Sequence, residues 1–224
     1  VNDNRYSTRD FIVLTCIGVF IAGTAVAVSY YPGGTWWTPS RTGHAFWDNF
    51  LCDLLHDPAL NQRSNRVGAS WARLAMLTLI VGLGVFWSGS ERWLSPGRLA
   101  KVVRYLGVFS TLPLAMVPLT PSNRFPALHV VAVLLGGLPA LVTFLLFCAA
   151  LLVQKRMPAA LRALTACLAL LTLLCLTLYA QGALGDGPAS RYLPMLERAT
   201  LILLLVWLVI MLHLPNRPLR PRDG

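Results

Sequence analysis

Six stretches of this chain approach the roughly 20 apolar residues needed to cross a 30 Å hydrocarbon core. They cover approximately 11–31, 69–87, 102–119, 127–153, 161–181 and 196–214. This feature limits the fold more than any other. It predicts an all-α, polytopic transmembrane bundle of about six spans in one domain over 1–214, with a flexible Pro- and Arg-rich tail over 215–224. Arg104, Pro113 and Pro118 interrupt the third stretch, but prolines are tolerated in spans whose neighbours satisfy the freed carbonyls. Gly136, Gly137 and Pro139 in the fourth predict a kink or a close helix contact. Arg5, Arg9 and the Ala25-Val26-Ala27 run around the first stretch resemble a cleavable signal. Its apolar character continues through Tyr31, which favours an uncleaved span.

Composition supports a membrane location. Of 224 residues, 56% are hydrophobic and 12% charged, about half the charged share of a soluble domain, and the mean hydropathy is +0.61. The net charge of +10 would suggest nucleic acid for a soluble chain. On an apolar bundle, surplus Arg instead lies at lipid headgroups and sets topology, so membrane lipids are the expected partners and nucleic acid is not. Arg5, Arg9, Arg92, Arg98, Lys101, Arg104, Lys155, Arg156, Arg162, Arg217, Arg220 and Arg222 fall on one side, twelve against seven on the other. The positive-inside rule then places both termini in the cytoplasm. Tyr30, Tyr31, Trp36, Trp37 and Trp71 would form the outer aromatic belt, and Trp87 and Trp93 the inner one.

Four of the five cysteines lie inside apolar stretches, and Cys52, in a long loop, has no loop partner for a disulfide. The informative segment is that loop, 32–68, which is too long for a simple connector and rich in aromatics. Within it, residues 44–57 have helical periodicity. Trp47, Phe50, Leu51, Leu54 and Leu55 form an apolar face, and Asp48, Asn49, Cys52, Asp53, His56 and Asp57 a polar one, before Pro58. An amphipathic helix is therefore expected in the first external loop. Its polar face carries three Asp and no cation, unlike an ordinary interfacial helix, and so should meet Arg or a metal within the fold.

Arg73, His129, Glu197 and Arg198 lie within about a turn of the outer boundary, where ionisable groups are costly unless they face the bundle interior or a wet cavity. His44, His56 and His129 share this side with Asp48, Asp53, Asp57 and Asp186. Asp53, His56 and His129 are the acid/base or metal candidates, since His with carboxylate could hold zinc or act as acid and base. No HxxxH or HExxH spacing fixes two ligands on one helix face, so no metal site or cofactor is assigned. Arg63, Arg66, Arg73, Arg124 and Arg191 are candidates for phosphate through charge-assisted hydrogen bonds. Ser64, Ser70 and Ser122 are nucleophiles only in the loosest sense, because no GxSxG elbow is present.

Tyr31-Pro-Gly-Gly34 after the first span, Phe46-Trp-Asp-Asn-Phe-Leu-Cys-Asp-Leu54, and Asn61, Asn65 and Ser70 resemble a bacterial family of six-span membrane proteins known only as a domain of unknown function. That family is distantly similar to the damage-regulated autophagy modulator and GPI-anchor lipid-remodelling group. The resemblance covers about residues 10–90, and Cys52 and Leu55 stand where the family pattern has Ser and Gly. It implies the bundle fold, a bacterial inner membrane and an outward-facing polar pocket. The expected function is binding or processing of a lipid headgroup, with hydrolysis or acyl transfer as the reaction class. The alternatives are an accessory subunit or assembly factor among other membrane subunits, and a small transporter.

Overall fold

A computed structural model describes residues 7–153, 157–184 and 191–214. The expected tail and Asp186 lie outside the described residues. Six helices run through it: α1 (Thr8–Tyr30), α2 (Arg66–Ser88), α3 (Arg98–Leu119), α4 (Pro126–Leu152), α5 (Ala159–Leu184) and α6 (Leu193–His213). All six are long and apolar enough to cross a membrane. The protein is an all-helical, multi-pass membrane bundle. Its helices alternate in direction, so one end carries the start of α1 and the other the long loop between α1 and α2. These are called here the terminal end and the loop end.

The first three helices pack closely through small residues, which let backbones approach where no hydrophobic drive operates in lipid. The α1–α2 contact is the most extensive. A Cβ on Gly23 would stand 3.0 Å from Ala75 Cβ, and one on Gly82 only 2.7 Å from Cys16 Cβ. On α4, Gly136 is the close contact expected from its sequence: a Cβ there would lie 2.7 Å from Leu114 Cγ on α3. Both α3 and α4 continue through their internal prolines.

At the terminal end, Ser7 and Asp10 form a capping box on α1, with the Ser7 amide donating to Asp10 Oδ2 at 2.9 Å. Asp10 is buried and also accepts from Arg92, whose guanidinium lies 4.0 Å from the Trp93 ring centroid. Trp87 and Trp93 are not the interfacial belt that their positions suggested. Both are buried, in an aromatic cluster with Phe86, Phe147 and Trp207. Aromatic rings gain from edge-to-face contact as well as from headgroup anchoring, and here the packing prevails. On the other belt Tyr30, Trp36 and Trp71 are exposed, while Tyr31 is buried.

Candidate functional site

The loop between α1 and α2 folds back onto the bundle, beginning at Tyr31-Pro-Gly-Gly34. Gly33 and Gly34 adopt φ of 131° and 90°, a region that favours glycine. There is no room for a side chain: a Cβ on Gly34 would sit 2.5 Å from the Asn61 amide nitrogen. The Gly34 amide donates to the Arg41 carbonyl (2.8 Å), and Asn61 donates through its backbone to Gly33 and through Nδ2 to Pro32. The two halves of the loop are thereby drawn together.

The expected amphipathic helix over 44–57 reduces to one 3-10 turn, Leu51–Leu55. Its polar face is largely inverted, with Asn49, Asp53 and His56 buried beside Leu54 and Leu55, and Trp47 exposed. The cause is local. Phe50 is extended, which breaks the 100° periodicity, and Asn49 and Asp53 side chains bond to loop backbone, a competition typical of these residues. Asn49 Oδ1 accepts the Ala45 amide at 2.9 Å and its Nδ2 donates to the Gly34 carbonyl at 2.8 Å. Asp53 accepts from Trp36 Nε1 (3.0 Å), Asn49 Nδ2 (3.0 Å) and the Phe50 amide (2.9 Å). Burial nevertheless pushes the Asp53 carboxyl up to about 6, partly offset by those three donors.

His56 follows the 3-10 turn and is 1% exposed. Its Nε2 lies 2.8 Å from Ser122 Oγ, in the turn between α3 and α4. The Trp36 ring meets the imidazole edge-on, at 6.4 Å between centroids. Burial lowers the imidazole to about 4, helped by the neighbouring His129, so the ring is neutral at pH 7. Its buried Nδ1 has no hydrogen-bond partner among the described residues. Two further contacts pin the turn: Arg124 Nη2 donates to the Asp57 carbonyl at 3.0 Å and Asn123 Nδ2 to the Pro58 carbonyl at 3.4 Å.

The four ionisable residues singled out near the boundary all face inward. Arg73 Nη2 donates to the Leu55 carbonyl (3.4 Å) and His129 Nδ1 contacts the Thr120 carbonyl (2.8 Å). Glu197 Oε2 accepts the Leu51 amide at 3.1 Å. Arg198, 4% exposed, donates to the Phe46 and Asn49 carbonyls, both at 3.3 Å, and lies 3.4 Å from His44 Nε2. His44 is lowered to about 4 by burial and by the cations Arg198 and Arg41. Cys52 is a free thiol whose ionisation burial and the neighbouring carboxylates Glu197 and Asp53 suppress.

The candidates therefore divide. Asp53 and His56 share Trp36, and His129 influences His56 electrostatically. Arg73 and Arg124 reach the same loop, whereas Arg63, Arg66 and Arg191 are exposed. Among the described residues no group of three His, Cys, Asp or Glu side chains could hold a metal ion. Sequence reasoning underrated Ser122 and passed over the linking roles of Trp36, Asn49 and Asn65; Asn65 Nδ2 donates to both the Leu54 and His56 carbonyls at 3.0 Å. Only Asn65, placed just before an apolar helix, carried a readable signal, that of an N-cap. A separate open cavity of about 650 Å³ lies at the terminal end, lined by residues including Arg9, Glu91, Arg92 and Arg104. Asp10 pairs with Arg92 there, and Glu91 with Arg104 at 3.3 Å. It lies at the opposite end of the bundle from His44, His56 and His129.

The arrangement defines a multi-pass membrane protein with a polar site buried under its first loop. No family model, curated protein or solved structure matches this chain.

Proposed function

We propose that the loop end binds or processes the headgroup of a membrane lipid, in the outer leaflet of a bacterial inner membrane with both termini in the cytoplasm. The observation that carries this reading is the burial of Asp53, His56, His129 and Arg198 together at one end of the bundle. Ionisable groups at such depth are costly and mark function by default. Arg63, Arg66 and Arg191 are exposed on the same end, and Arg124 is more than half exposed beside Ser122, available for phosphate. Arg73 would act from beneath, through the loop that it holds.

Native mass spectrometry of the full chain in mild detergent tests this. Phospholipid should be retained and then depleted by Arg73→Ala combined with Arg124→Ala. A wild-type protein that retains no phospholipid sinks the proposal.

An accessory-subunit role is the second reading. It is favoured by α5, whose apolar window is 17% buried, against 39% for α2. That face is open to lipid or to another protein's spans, and co-purification in mild detergent separates the two readings. Transport draws less support. Thr143, Thr172 and Thr177 bond to carbonyls of their own helices, and Thr165 accepts from Trp207.

A further inference from the structure

We propose that Ser122 is a nucleophile activated by His56, and that the site transfers the acyl group of a membrane-lipid carboxylic ester. This rests on the headgroup reading above and adds its reaction. The two side chains come from distant segments, yet Ser122 Oγ and His56 Nε2 stand 2.8 Å apart, within the reach required of a nucleophile and its base. The serine is half-buried and is followed by exposed Asn123, Arg124 and Phe125, so it can be reached from the membrane surface. Exposed Phe125 and Leu128 offer apolar surface for an acyl chain, and Arg124 lies two residues along for a phosphate.

A purely structural latch between loop and turn would also produce the 2.8 Å contact. The Nδ1 atom argues for more. It is buried with no partner among the described residues, a condition that costs folding free energy and calls for a functional explanation. Among the described residues Nδ1 is unpartnered in either tautomer, and the base requires the one that carries the ring proton on Nδ1 and leaves the Nε2 lone pair to accept from the serine.

The step balances without a redox partner. Nε2 accepts the hydroxyl proton as Ser122 Oγ bonds to the ester carbonyl carbon. The carbon–oxygen bond to the lipid alcohol then breaks, and the imidazolium returns the proton to the departing oxygen. Water or a second alcohol attacks acyl-Ser122 by the same route in reverse and restores the hydroxyl.

The test uses the full chain in detergent and in phosphatidylglycerol vesicles, with a fluorophosphonate probe and a vesicle-borne fluorogenic acyl ester. Peptide mapping should place the label on Ser122. Labelling and ester cleavage should vanish in Ser122→Ala and fall at least tenfold in His56→Gln, while both variants melt within a few degrees of wild type. Ser122→Thr keeps the hydroxyl latch and should retain partial labelling, which a fold defect would not spare selectively. A folded protein that holds phospholipid yet leaves Ser122 unlabelled and the ester intact overturns the nucleophile while the headgroup reading stands. A labelled Ser122 in a protein that retains no phospholipid supports the nucleophile and removes the headgroup reading instead.

Discussion

Glu197 in the first turns of α6 accepts the backbone amide of Leu51 at 3.1 Å, across 146 positions of chain. Its neighbour Arg198 donates to two further loop carbonyls. Together they fasten the first loop to the last helix. Arg198 is buried, so its removal leaves Phe46 and Asn49 carbonyls unsatisfied and Glu197 without its nearest cation. Arg198→Ala should cost about 3 kcal/mol, and Arg198→Lys less, because charge is kept while the planar fork is lost. Thermal unfolding in detergent, with hydrogen exchange over the loop amides, measures both.

Glycine substitutions in the loop should differ sharply. Gly34→Ala meets the Asn61 amide at 2.5 Å in a left-handed conformation, whereas Gly43, at φ 68°, faces open space. Gly43→Ala should cost about 1 kcal/mol, the usual penalty of an alanine at positive φ, and Gly34→Ala clearly more. Limited proteolysis should cut the Gly34 variant within residues 31–65 and spare the Gly43 variant.

The paired shifts of Asp53 and His56 give opposite pH dependences. Asp53 rises from 3.8 to about 6 on folding, so the folded state holds the extra proton between those values. Its contribution is fullest below about pH 4 and is lost as pH rises through 6. His56 falls from 6.5 to about 4, so the unfolded state holds the extra proton. Its contribution is fullest above 6.5 and is lost as pH falls through 4. Each amounts to roughly 3 kcal/mol by linkage, and the slopes oppose one another between pH 4 and 6. Relative to wild type, Asp53→Asn should become more acid-labile, and His56→Gln should gain stability on acidification. Melting temperatures of the three proteins across that range give the answer; parallel profiles count against both shifts.

At the terminal end, Arg92→Ala leaves the buried Asp10 carboxylate with only its Ser7 partners. A loss of about 3 kcal/mol is expected, and Asp10→Asn in the same background should restore part of it. A double-mutant cycle in detergent measures the coupling.

The spans were legible because apolar length is a property of composition: α1 to α6 lie within a few residues of the stretches read from sequence. The loop was less so. A helical period assigned Asn49, Asp53 and His56 to water, and only the extended Phe50, invisible in a hydropathy pattern, turns them inward. Arg73, His129, Glu197 and Arg198 were readable as groups whose burial needed a reason. Their partners were not, since Leu51 and Glu197 share no local signal. Trp87 and Trp93 misled because the same side chains suit an interface and a core.

The Glu197 and Arg198 anchors also have a consequence for biosynthesis. A nascent chain inserts α1 and α2 long before α6 leaves the ribosome, so the loop emerges without the contacts that hold Leu51, Phe46 and Asn49. The buried polar site is therefore completed late, when the final helix enters the bilayer. A chain stopped before Leu193 would display its aromatic loop unfastened, open to chaperones and to membrane proteases.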